Sequence, residues 1–75
     1  MIVIKYYQRL RDLREDKDLF QKDIAQVLET SQKQYSRWET GEQELPMHNF
    51  VKLAVFYNVS LDYIAGLTNS KKKEW

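Results

Sequence analysis

The chain contains no cysteine. That removes a disulfide framework and any thiolate metal site. Its one histidine, His48, cannot assemble a metal centre alone. Glycine and proline together occur three times, as Gly41, Pro46 and Gly66. So few turn residues suit an all-β fold badly, and no stretch sustains an alternating apolar pattern. Long apolar runs are also missing. Residues 1–4 form the opening run, too short for a signal peptide or a membrane span. No glycine-rich loop cradles phosphate. Asp12, Asp16, Asp18 and Asp23 have no nucleophile or histidine at a useful spacing. These absences argue against an enzyme, a metal, a cofactor or a small-molecule ligand. A bacterial or phage cytoplasm is the compartment that fits them.

What is present points to helices. Seventy-five residues make one domain at most. A chain of this size buries a modest share of its surface and needs an economical core, usually helical. With 43% hydrophobic and 31% charged residues it is globular in character. Twelve Lys and Arg oppose eleven Asp and Glu, for a net charge of +1. A nucleic-acid binder of this composition must gather its positive charge on one face.

The apolar spacing predicts five helices. The first runs over 3–16, with Ile4, Tyr7, Leu10 and Leu13 as its apolar stripe. Arg9, Arg11, Asp12, Arg14 and Glu15 mostly take its wet side. Leu19 plugs the loop that follows. The second helix covers 21–28, with Ile24, Val27 and Leu28 on one face and the small Ala25 where a neighbouring helix approaches. Ser31 caps a third over 32–40, with Tyr35 and Trp38 as its apolar pair and Gly41 as its left-handed stop. Pro46 opens the fourth helix, which reaches Tyr57 and buries Phe50, Leu53, Ala54 and Tyr57. Ser60 caps a short fifth, 61–65, ended by Gly66. The domain spans 1–68, and 69–75 is a polar, frayed tail.

The stretch from Gln21 to Gly41 has the layout of a helix-turn-helix, a device that reads DNA. Gln32, Lys33 and Arg37 fall on the outside of its second helix. A glutamine amide pairs with adenine, and arginine or lysine reaches guanine. The plain alternative is a solvated helix face. Gln34 points to backbone or solvent in preference to a base. Tyr35 and Trp38 oppose the polar face, so they belong to the core and not to a base-stacking platform. Lys71 to Lys73 read as a solvated tail. Val51, Val55, Phe56, Tyr63 and Leu67 leave apolar surface over on the last two helices, which favours a homodimer interface. The simpler reading is that the tail, with Trp75, shields the core.

The combination of Ser36-Arg37-Trp38-Glu39-Thr40-Gly41, Leu45-Pro46 and Val59-Ser60-Leu61-Asp62-Tyr63-Ile64-Ala65-Gly66 resembles the Xre family, the Cro and phage-repressor type of helix-turn-helix. Leu10, Arg14, Gln21, Ala25, Leu28, Ser31, Tyr35, Leu53 and Ala54 carry the resemblance further, over 10–67. It implies a compact all-α, five-helix, lambda-repressor-like domain whose third helix enters the major groove. It implies base contacts from Gln32, Lys33 and Arg37, with Ser36 secondary, and a phosphate contact from Gln21. Backbone amides at Thr40 and Gly41 are further phosphate candidates. Arg14 and Glu39 are implied as a structural ion pair.

Three positions depart from the family pattern. Glu29-Thr30 stands where glycine and a β-branched apolar residue are common. Phe20 replaces a hydroxyl cap. Glu42 and Glu44 follow Gly41, where basic residues often touch phosphate, so they must face away from DNA or weaken binding. The expected function is a sequence-specific, double-stranded DNA-binding transcriptional regulator, a repressor acting as a homodimer on a palindromic operator. The alternative is an antitoxin or protein-interaction module on the same fold, which the near-neutral charge and acidic loop favour.

Overall fold

The structure, a computed structural model, describes residues 5–72. Five helices occur among them: α1 (Tyr6–Asp16), α2 (Gln21–Val27), α3 (Gln32–Glu39), α4 (Met47–Tyr57) and α5 (Leu61–Ala65). No described residue is in a strand. α2 and α3 pack on each other, α1 lies against both α3 and α5, and α4 closes on α5.

Local chemistry sets most helix ends. Ser31 Oγ accepts from the Gln34 N–H at 3.1 Å, and Ser60 Oγ from the Tyr63 N–H at 2.9 Å. Each satisfies an amide that the first helical turn leaves unpaired. Gly41 and Gly66 follow α3 and α5 with φ of 83° and 84°. Phe20 has no side-chain acceptor. The Asp23 carboxylate instead reaches back to the Phe20 N–H at 2.8 Å, so half of a capping box survives. Pro46 stands one residue earlier than expected, as the extended residue ahead of α4. The last residues of the predicted second and third helices, Leu28 and Thr40, are helix caps.

Helix α1 begins later than its spacing suggests. Lys5 is extended (φ −64°, ψ 133°) and the helix opens at Tyr6. Nothing at Lys5 caps it by side chain. Ile4 lies outside the described residues, and Tyr6 takes part in the stripe instead, packing beside the core.

Leu10, Ile24, Tyr35, Leu53 and Ile64 are the fully buried centre. Trp38, Leu45, Tyr57 and Val59 surround them. Tyr6, Leu19, Val27 and Phe50 pack around this core and are only partly buried. The Tyr6 ring lies 5.1 Å from that of Phe50, and its hydroxyl accepts from the Leu45 N–H. This ties the loop after α3 to the start of α1.

Three expectations change around Arg9. Arg9 is buried, not on the wet side. Its guanidinium stacks 4.0 Å from the Tyr63 ring centroid and donates to the Thr68 carbonyl and to Asn69 Oδ1. Tyr63 is therefore a core residue, 8% exposed, and not part of a free interface. Asn69 is held by the same arginine and is not frayed. Residues 73–75, including Lys73 and Trp75, lie outside the described residues.

Candidate nucleic-acid interface

The turn between α2 and α3 sets the presentation of α3. Leu28 closes α2, and Glu29 takes φ 55° where glycine is common. The Thr30 N–H returns to the Ala25 carbonyl at 2.9 Å. This reverses the chain in three residues and leaves Ser31 extended as the cap of α3.

From that cap, α3 has two opposed sides. Tyr35, Trp38 and Glu39 are buried. Gln32 and Lys33 are exposed, with Ser36 and Arg37 half-buried beside them. These four line one open concavity, together with Gln21 from the start of α2 and Glu42 from beyond Gly41. The residues expected to read bases thus share one surface with the residue expected to hold phosphate. Glu42 shares it too, so this acid does not face away. Gln34 is on the flank, where its amide donates to Gln43 Oε1 at 2.6 Å.

The anchor beneath this surface is ionic. Arg14 donates from Nε to Glu39 Oε2 at 3.0 Å and from Nη2 to Oε1 at 2.8 Å. Its Nη1 donates to the Leu19 carbonyl at 2.9 Å. The two-pronged geometry fixes both side chains. Gln21 Nε2 lies 3.4 Å from Glu39 Oε1, so the same carboxylate orients the glutamine amide. Burial alone would raise the Glu39 pKa, but hydrogen bonds from Arg14 and Gln21 outweigh it and hold the carboxyl below its ordinary value. The hydrogen bond to Glu39 raises that of Arg14. Burial, then the nearby Glu39 carboxylate, pushes the Tyr35 hydroxyl far above its ordinary value. That hydroxyl and the Tyr57 hydroxyl lie buried with no hydrogen-bond partner among the described residues.

One expectation changes here. The Thr40 N–H donates to the Ser36 carbonyl at 3.0 Å, and the Gly41 N–H to the Trp38 carbonyl at 3.3 Å. Both amides are spent on closing α3 and are not free for phosphate. Thr40 keeps an exposed hydroxyl, which donates to the Arg37 carbonyl at 3.3 Å.

A family model described as helix-turn-helix matches residues 10–64. The chain belongs to the helix-turn-helix family, of the Xre and Cro type. A relative with the same label is the uncharacterized HTH-type transcriptional regulator YobD of Bacillus subtilis (strain 168). It is 38% identical over 64 residues, which cover 85% of this chain and 57% of YobD. A solved transcriptional regulator from Listeria innocua superposes with a TM-score of 0.77 over 99% of this chain and 66% of its own. At 20% identity it speaks for the fold alone. The chain thus spans less than two thirds of both. Membership of the helix-turn-helix family supports a DNA-binding regulator.

No described helix is long and apolar enough to cross a membrane. Among the described residues, no group of three or more His, Asp and Glu gathers as a metal site. Glu42 was visible in the sequence as a charge of the wrong sign. Its position beside Arg37 depends on the chain path after Gly41. There the Gln43 N–H returns to the Arg37 carbonyl at 3.1 Å and folds the loop back along α3.

Proposed function

We propose that this chain is a sequence-specific, double-stranded DNA-binding transcriptional repressor that reads the major groove with α3. One observation carries the reading: Gln32, Lys33, Ser36 and Arg37 share an outward concavity with Gln21 while Tyr35 and Trp38 are buried behind them. Gln32 pairs with adenine, Lys33 and Arg37 with guanine, and Ser36 assists. Gln21, its amide oriented by Glu39, takes a backbone phosphate. Such a regulator works in the cytoplasm.

The repressor acts as a homodimer on a palindromic operator. Half-sites one helical turn apart need reading helices about 34 Å apart. A molecule of 32 × 23 × 22 Å is of the size that two copies side by side require. The shared face is apolar and lies on α4 and α5. Met47, Val51 and Val55 follow one another at a spacing of four residues and are exposed, with Leu61 beside Val51 and Val55. Phe56 and Leu67 are exposed as well and extend the candidate surface.

The test is selection of duplexes from a random library, followed by binding of the selected and scrambled DNA. Preference for the selected duplex, lost in the double variant Lys33→Ala, Arg37→Ala, supports the reading. Equal binding to both duplexes contradicts it. A second reading, an antitoxin or protein-interaction module, is favoured by Glu42 in the same concavity and by the net charge of +1. Absence of binding even in low salt would decide for it.

A further inference from the structure

A second concavity adjoins the reading surface across Gln21. It is lined by Tyr7, Gln8 and Arg11 of α1, by Arg14 and Glu39, and by Gln21 and Thr40. Its floor is electrically closed, because Glu39 is buried and doubly bonded to Arg14. The amides of Thr40 and Gly41 are consumed by the α3 cap. Arg11 differs from these. Its side chain is 64% exposed, and among the described residues its one ion pair is a long 3.5 Å contact with Glu15. Arginine four residues before glutamate on a helix is the weaker orientation of such a pair. An exposed pair of this kind holds its partners loosely.

We propose that Arg11 binds a DNA backbone phosphate in this groove, with Gln8 as an accessory donor. The site rests on the DNA-binding reading above. It extends the footprint from α2 and α3 onto α1. It also supplies a cation in a groove that Glu42 does not line, while the loop after α3 offers acid instead of base. The Tyr7 ring walls the groove and packs on Gly41, 2.6 Å from where a Cβ would sit. A planar guanidinium suits a phosphate diester through paired N–H donors. Such a contact carries no base information, so it strengthens selected and scrambled duplexes alike.

The experiment measures DNA affinity against salt for the full chain, Arg11→Gln, Glu15→Gln and a control, Lys52→Gln, on the selected and a scrambled duplex. Lys52 is on α4, 3.7 Å from Glu29, away from either groove. Arg11→Gln is expected to weaken both duplexes and to lower the salt slope by about 0.9, the value for one phosphate. Glu15→Gln is expected to tighten both by freeing the arginine. Unchanged affinity and slope in Arg11→Gln, with the full chain binding normally, would overturn the site and leave the DNA reading intact. Failure of the full chain to bind would overturn both. Thermal melts of the four proteins are expected to coincide. A selective loss of melting temperature in Arg11→Gln, without a change in slope, would mark the residue as structural and sink the proposal.

Discussion

At the scale of single residues, the proposed reading surface is a contest of charges. Lys33 and Arg37 share their concavity with Glu42, and opposite signs there partly cancel toward a phosphate backbone. Glu42→Gln is therefore expected to tighten DNA binding roughly two- to fivefold, on the order of 0.5–1 kcal/mol, the size of an exposed charge interaction. Fluorescence anisotropy in moderate salt reads this directly. Weaker binding would mean that the carboxylate itself contacts the DNA, for example by accepting from a cytosine amine. Gly41 is constrained differently. Its φ of 83° and the Tyr7 ring both exclude a side chain. Gly41→Ala is expected to cost about 1–2 kcal/mol in a thermal or urea melt, from left-handed strain and displacement of the ring.

At the scale of helices, local rules and long-range contacts divide the account. Ser31, Ser60, Gly41 and Gly66 were legible in sequence because a cap or a left-handed stop involves only the neighbouring turn. The start of α4 and both limits of α5 follow from Pro46, Ser60 and Gly66 for the same reason. The outward side chains of α3 were legible because helical spacing separates Tyr35 and Trp38 from Lys33 and Arg37. Arg9 and Tyr63 were not. Their pairing spans the chain from α1 to α5, with Thr68 beyond α5 on the same arginine, and periodicity alone assigns a charged residue to the wet side. The amides of Thr40 and Gly41 also required coordinates, since only the observed hydrogen bonds tell which donors are spent. At the ionic anchor, Glu39 joins α1, α2 and α3 through Arg14 and Gln21. Its carboxyl is held below its ordinary pKa, so it contributes stability above the unfolded pKa near 4.5 and loses it as pH falls through the lower folded value. Stability is thus expected to drop in acid below about pH 4.5, with a shallower drop in Glu39→Gln. Arg14→Ala is expected to cost about 3 kcal/mol at neutral pH, because it leaves a carboxylate buried without its partner. Chemical denaturation across pH measures both.

At the scale of the whole molecule, two surfaces differ in character. α2 and α3 present polar side chains, while α4 and α5 expose Met47, Val51, Val55 and Leu61. The sequence pointed to an apolar excess on the last helices, but Tyr63 belongs to the core beneath Arg9, so the stripe on α4 replaces it. If two copies meet there, Val51→Glu with Val55→Glu is expected to give a monomer in sedimentation while leaving the helical circular dichroism unchanged. A dimer that survives both changes would place the interface elsewhere. A monomer binds one half-site, so its affinity for a full palindrome would fall steeply. The central claim, that α3 reads bases, is tested most directly by competition between a selected duplex and its scrambled counterpart at fixed salt, for the native chain and for Lys33→Ala, Arg37→Ala. Each good bidentate contact discriminates by about 1–3 kcal/mol. The native chain is predicted to prefer the selected duplex at least tenfold, and the variant to bind both duplexes with nearly equal, weaker affinity. A variant that keeps the native preference would contradict base reading by this helix face.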